Sequence, residues 1–200
     1  MPDQADPDAQ LMLRVKRGDR LAFAELVEKY KQPLYNFIFR TLRDESESED
    51  VAQTVFLQVY KSRARYERTA KFSTWLFTIA RNLCLNEIRR RSRHPAESLE
   101  ESHSEHEDQP QRQYEDKKIF LPTDEALQGE LARKIEEALN DLPENQRTAI
   151  WLCRQDELSY EEIAAVLGCS LSATKSLIHR GRETLKDKLK PYLQTGDWRG

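Results

Sequence analysis

Apolar residues recur at helical spacing through most of this chain, and the breaks between periodic stretches fall on prolines, glycines and short polar runs. Residues 1–9 are polar with two prolines and are expected to lack order; a first helix then covers residues 10–17 and ends at Gly18. Asp19 can cap a second helix. Its apolar positions Leu21, Ala24, Leu26, Val27, Tyr30, Leu34, Phe37, Ile38 and Leu42 hold their spacing through Pro33, which predicts a long helix kinked or broken at that proline. A charged turn over residues 43–49 leads into an amphipathic helix over 49–62, with Val51, Val55 and Val59 inward and Asp50, Gln53, Gln58 and Lys61 outward. Ser73 suits the cap of the next helix, which runs to about Arg91. Leu76, Ile79, Ala80, Leu83 and Ile88 form its buried stripe, and Thr78, Arg81, Asn82, Asn86, Arg89 and Arg90 its opposite face.

Pro95 closes this unit, and residues 96–126 lose all periodicity while gaining Glu, Ser, His, Gln and Asp, as a linker does. Helical spacing resumes over 127–140, and Leu142-Pro143-Glu144 turns the chain into a helix over 146–154. The stretch 158–189 then reads as a helix, a three-residue turn and a second helix. Ile163, Ala164 and Leu167 share a face, and the small Ala164 lets another helix cross close above it. Gly168 supplies a left-handed exit and Ser170 an N-cap. Thr174, Leu177, Ile178, Leu185 and Leu189 form the inner stripe of the second helix, which Pro191 is expected to end. Ser172, Lys175, Ser176, His179, Arg180 and Lys186 point largely away from that stripe.

This is the pattern of a helix-turn-helix, whose second helix enters the major groove and brings hydroxyl, Lys and Arg side chains to base edges and phosphates. A solvated hairpin of no special function would show the charge pattern equally well. The conjunction of small residue, glycine, cap and basic outer face favours DNA reading. The fold class is therefore all-α: a helical bundle over residues 10–94, an acidic flexible linker over 95–130, and a helix-turn-helix domain over 131–190.

Charge sharpens this division. The net charge of −3 does not advertise a nucleic-acid binder, so DNA affinity must come from local patches. Residues 1–94 hold 18 basic and 13 acidic residues, 95–130 hold 3 and 11, and 131–200 hold 11 and 11. Within the first unit, residues 61–93 carry ten basic and two acidic residues with Tyr66, Phe72, Trp75 and Phe77 interleaved, a combination suited to melted or single-stranded DNA. The same aromatics also suit a bundle core; that reading is preferred for Phe77, and Trp75 is evenly balanced.

Catalytic chemistry finds no support: no nucleophile-base set, phosphate-cradling glycine loop or metal-ligand cluster appears, so neither enzyme activity nor a cofactor is expected. His94, His103 and His106 lie in a solvated tract without cysteine partners. Cys84, Cys153 and Cys169 are odd in number and set in helical patterns, as buried thiols of a reducing cytosol would be. With no signal peptide and no apolar run long enough to span a bilayer, a cytoplasmic protein without membrane insertion is expected.

In order along the chain stand Gly18-Asp19 followed by Ala22-Phe23; Asp50-Val51-Ala52-Gln53-Thr54-Val55-Phe56; Phe72-Ser73-Thr74-Trp75-Leu76 leading to Ile79-Ala80-Arg81-Asn82; Leu142-Pro143; and Leu158-Ser159-Tyr160-Glu161-Glu162-Ile163-Ala164. Over some 150 residues this series resembles the bacterial RNA polymerase sigma factors of the extracytoplasmic-function (ECF) group. The resemblance implies a transcription initiation factor whose partners are core RNA polymerase (clamp and flap), promoter DNA and an anti-sigma factor. It implies that residues 10–94 grip the clamp and open the −10 element, and that residues 131–190 bind the −35 element and the flap. The clamp contact carries over to Asp50, Gln53 and Phe56. The paired asparagines of the opening helix match Asn82 and Asn86, and the base-capturing loop matches residues 66–71, with Tyr66, Arg68 and Lys71. Trp75, Arg89 and Arg90 complete the −10 set, and Ser172, Lys175, Ser176, His179 and Arg180 form the −35 set. Many members carry arginine where this chain has Lys175, and an ammonium cannot reproduce the planar guanidinium fork on guanine. The alternatives left open are a stand-alone helix-turn-helix regulator and a protein-interaction adaptor.

Overall fold

A computed structural model describes residues 6–93, 122–154 and 158–195, and among them the only secondary structure is eight α-helices and one short 3-10 turn. Helix α1, Pro7–Lys16, begins earlier than its apolar spacing suggests, because Pro7 occupies the first turn and the Asp6 carboxylate accepts the Asp8 N–H at 3.0 Å. Helix α2, Arg20–Leu42, is capped by Asp19 and runs unbroken through Pro33. The expected turn over 43–49 shrinks to two residues. Arg43 adopts a left-handed conformation (φ 58°) and Asp44 caps α3, Glu45–Ser62, whose acidic first turn suits the helix N-terminus. The turn Arg63–Arg65 and an exposed loop lead to α4, Phe72–Arg93. Ser73 does not cap α4: it is buried, and the Asp6 carboxylate takes the Phe72 N–H instead, at 2.8 Å.

Helices α1 to α4 close around Met12, Leu26, Leu34, Phe37, Ile38, Val55, Val59, Phe72 and Leu76. Phe77 joins this core, as its spacing predicted. Arg91 fastens the far end, donating to the Leu42 carbonyl at 3.0 Å and pairing with Glu47, so it serves the fold.

The C-terminal unit comprises α5 (Pro122–Asn140), α6 (Glu144–Cys153), α7 (Tyr160–Leu167) and α8 (Leu171–Thr195). Helix α5 starts inside the stretch expected to be linker, and α8 contains Pro191 instead of stopping before it. Proline removes one N–H donor, which near an exposed helix end is a small loss. The expected character of residues 96–121 and the histidines at 94, 103 and 106 lie outside the described residues. Helix α8 packs on α5, α6 and α7. Its approach to α6 depends on Gly181: a Cβ there would stand 2.8 Å from Ile150 Cγ1 and 3.2 Å from Cδ1. Alanine gains helix propensity of about 1 kcal/mol, but overpacking a buried contact costs about 1–3 kcal/mol. Gly181→Ala is therefore expected to destabilise the protein by roughly 1 kcal/mol, read from the urea midpoint, despite its being a helix-favouring substitution.

The two units are docked to each other, where the sequence suggests modules on a slack tether. Helix α7 packs along α4, and α6 meets α2. Trp151 of α6 packs against both Phe37 and Phe77 in a three-ring cluster, with ring centroids 5.2 and 5.6 Å away and the two phenylalanines 5.5 Å apart. Arg43 donates to the Asn140 carbonyl at 2.8 Å, and Lys71 pairs with Glu162 at 3.2 Å. One hydrophobic core cluster consequently includes residues of both units.

Candidate nucleic-acid interface

The reading helix is built by local capping. Ser159 and Glu162 form a reciprocal capping box at the start of α7: the Glu162 N–H donates to Ser159 Oγ at 3.3 Å and the Ser159 N–H to Glu162 Oε2 at 2.6 Å. Gly168 ends α7 in the left-handed region (φ 65°), and Ser170 Oγ accepts the Ala173 N–H at 3.2 Å to start α8. Thr174 is fully buried, donating to the Ser170 carbonyl at 3.1 Å and lying 3.2 Å from Cys169 Sγ, which pins the turn from inside. Ile178 is buried beside it, and Leu177 and Leu185 pack partly against the core. Ser172, Lys175, Ser176, His179 and Arg180 are all exposed, and their spacing of three, four, seven and eight puts them on one helical face. Ser176 Oγ donates to the Ser172 carbonyl at 3.0 Å, leaving its lone pairs as acceptors.

On α4 the exposed residues Asn82, Asn86, Arg89 and Arg90 continue to Arg93. Asn86, Arg89, Arg90 and Arg93 line a shallow cleft of roughly 340 Å³. Arg89 donates to Asn86 Oδ1 at 3.2 Å, which fixes that amide's orientation, and Arg90 is held by Glu87 at 2.9 Å. Arg90 therefore presents a partly neutralised charge, and Arg89 a less encumbered one.

The loop between the 3-10 turn and α4 exposes five consecutive residues, 67–71, among them Arg68 and Lys71. Tyr66 departs from the expectation. Its side chain is only 4% exposed and its ring lies 5.0 Å from that of Trp75, so it anchors the loop and offers no face for a base. Burial, and then the nearby Asp6 carboxylate, push its phenol up to about 12. Trp75 is half-buried between Tyr66 and Phe72, with the second ring 6.0 Å away. That resolves the even balance: most of the ring is packing.

On α3, Asp50, Gln53, Thr54 and Leu57 are exposed along one face. Phe56 is not free, being half-buried against the core. The apolar member of that face is Leu57, 57% exposed, which the sequence reading missed although its spacing from Asp50 and Gln53 places it there. The three cysteines are free; Cys84 is fully buried, whereas Cys153 and Cys169 are partly exposed, contrary to three buried thiols. Among the described residues no group of side chains could hold a metal ion, and no helix is long and apolar enough to cross a membrane.

Two docked helical units, one a helix-turn-helix with an exposed basic face and the other carrying an exposed face of asparagines and arginines, have the build of a DNA-binding protein. A family model described as Sigma-70 region 2 matches residues 26–94, and one described as Sigma-70, region 4 matches residues 132–185. The RNA polymerase sigma-H factor of Pseudomonas aeruginosa is 34% identical over 189 residues, covering 94% of this chain and 97% of that one. The ECF RNA polymerase sigma factor SigW of Bacillus subtilis is 36% identical over 177 residues, covering 88% and 94%. Among solved structures, the sigma factor RpoE of Bartonella quintana in complex with the anti-sigma factor NepR superposes with a TM-score of 0.62 at 26% identity, over 84% of this chain and 96% of that one. The chain belongs to the ECF RNA polymerase sigma factors.

Proposed function

We propose that this protein is a non-catalytic transcription initiation factor of the cytoplasm that binds core RNA polymerase, directs it to promoters by reading a −10 and a −35 element, and helps open the strands. The observation that carries this is the pairing of two exposed faces in one chain: Ser172, Lys175, Ser176, His179 and Arg180 on α8, and Asn82, Asn86, Arg89 and Arg90 on α4. A stand-alone helix-turn-helix regulator would account for the first face and leave the second, and the matched region 2, without a purpose. The Asp50, Gln53 and Leu57 face of α3 is the proposed polymerase contact, with Leu57 taking the apolar part assigned to Phe56. An anti-sigma factor is the expected negative partner, as in the Bartonella complex. The testing experiment is reconstitution: the chain is mixed with core RNA polymerase on genomic fragments and run-off transcripts are sequenced. Transcripts sharing upstream motifs support the reading; palindromic DNA binding with no gain of polymerase specificity replaces it with the regulator.

Within that assay, Lys175→Ala and Arg180→Ala are each expected to lower holoenzyme affinity for the promoter by about 1–3 kcal/mol if the residue reads a base. The check is a comparison of promoter and scrambled duplexes. Equal loss on both would reduce the residue to a phosphate contact, with the salt slope falling by about one.

A further inference from the structure

The backbone on either side of the loop 67–71 is tied to one element, α1, while the Lys71 side chain also pairs with Glu162 of the C-terminal unit. At one end Lys16, in the last turn of α1, donates from Nζ to the Tyr66 carbonyl at 2.9 Å. At the other, Asp6 at the start of α1 accepts the Phe72 N–H on Oδ2 at 2.8 Å while its Oδ1 accepts the Asp8 N–H at 3.0 Å. One carboxylate thus caps two helices at once, α1 with one oxygen and α4 with the other. Helix α1 is in turn locked to the bundle: Asp8 is 5% exposed, accepts the Tyr30 hydroxyl at 2.5 Å and pairs with Lys29 at 2.6 Å. Between the anchors, residues 67–71 are all exposed; a short turn joins the Thr69 N–H to the Glu67 carbonyl at 2.9 Å, and the Lys71 carbonyl accepts the Trp75 N–H at 3.2 Å at the start of α4.

We infer that Asp6 and Lys16 are positioning residues that preset the loop 67–71 for the base it captures, so that α1 sets base discrimination without touching DNA. This rests on the reading of that loop as a −10 contact. The physical reason is entropic. Five exposed residues with loose ends would have to be ordered on binding, at a cost that falls on the right base and the wrong base alike and blurs the geometry that tells them apart. Fixing both ends beforehand removes much of that cost and holds the side chains where one base edge fits.

The dual use of Asp6 makes the idea testable. Asp6→Asn keeps a good N-cap for α1, but an amide has one acceptor oxygen and cannot take both N–H groups from two sides. Lys16→Met keeps the apolar stem and removes the donor at an exposed position, so it does not threaten the fold, and Lys16→Arg keeps a donor for the Tyr66 carbonyl. Holoenzyme assembled with each variant is incubated with a randomised pool of short single-stranded DNA, and the retained molecules are weighed and sequenced. Asp6→Asn and Lys16→Met are expected to flatten the base preference about tenfold at one position while total retained DNA and polymerase affinity stay within about twofold, and Lys16→Arg to restore the preference. A residue that merely supported the fold would lower the melting temperature and total retention together, leaving the preference intact; that result overturns the inference. Arg68→Ala separates the two layers. If it leaves the preference unchanged, the loop is not the base contact and the clamp role falls with it; if it abolishes the preference while Asp6→Asn and Lys16→Met do not, the loop reading stands and the clamp alone is refuted.

Discussion

Trp151→Ala is expected to open the molecule. The indole is 8% exposed and packs against both Phe37 and Phe77 of the other unit, so its removal leaves a cavity at the junction and costs about 3–5 kcal/mol. Opening matters for function because docking fixes the α4 and α8 faces relative to each other. Elements named for positions −10 and −35 are separated by about 25 base pairs, or about 85 Å of duplex at 3.4 Å per base pair, so the proposed joint use of both faces on one promoter calls for freedom between the units. Small-angle scattering should therefore show a larger radius of gyration for Trp151→Ala than for wild type. Cys84 provides a local readout. Burial, and then Glu144 of the C-terminal unit, push its thiol up to about 12, and only the thiolate alkylates, so in the docked protein at pH 8 it should stay unlabelled while Cys153 and Cys169 react. In Trp151→Ala Cys84 should label measurably. Arg43→Ala, which removes the cross-unit bond to the Asn140 carbonyl and the charge near Asp141, should do so more weakly. An unchanged radius and a silent Cys84 in both variants would mean that the units are not held by this contact.

Asn82→Ala with Asn86→Ala is expected to abolish most strand opening while leaving polymerase binding intact. The two amides lie four residues apart on one exposed face of α4, where they can hydrogen-bond base edges without adding charge. Arg89 holds Asn86 Oδ1 at 3.2 Å, so the Asn86 amide is oriented before DNA arrives, and Arg89→Ala should reproduce part of the Asn86→Ala defect in addition to losing a phosphate contact. Permanganate reactivity of unpaired thymines measures opening, and an artificially melted −10 bubble should restore part of the transcription lost in the asparagine variants. Arg89→Ala with Arg90→Ala should weaken bubble and duplex templates alike and flatten the salt dependence. Because Arg90 is already held by Glu87, the larger share of that loss should come from Arg89. Normal opening in the asparagine variants, or loss of polymerase binding, would make these amides structural.

Much of the fold is written in local pattern. The caps at Asp19, Ser159 and Ser170, the left-handed Gly168, the buried stripes of α4 and α8 and the outward set on α8 follow from spacing and from the hydrogen-bond habits of single residues, which act within a turn or two of chain; in α2 the stripe holds from Leu26 on, while Leu21, 80% exposed, and Ala24 stand outside the core. Where propensity and context disagree, local reading fails in a specific way. Ser73 has the chemistry of a cap, yet the Asp6 carboxylate, 66 residues before Phe72, does that work and Ser73 is buried. Tyr66 and Trp75 have the chemistry to stack on bases, yet they pack tilted against each other, with Phe72 beside Trp75. Phe56 and Leu57 are adjacent apolar residues of α3, and although spacing groups Leu57 with Asp50 and Gln53, only the bundle's packing shows that Phe56 is half-buried against the core.

The amino-acid sequence by itself determined that this protein is helical throughout its periodic stretches, that its C-terminal part carries a helix-turn-helix with a basic outer face, and that an asparagine and arginine face stands on the last helix of its first unit, since each is a property of one helix and its period. Only the tertiary structure decided that α1 ties down both ends of the exposed loop, that Gly181 is needed where α8 meets Ile150, and that Trp151 locks the two units together. Those three features join residues that are far apart in the chain, and hydrophobic periodicity records which face of a helix is buried but not which partner buries it.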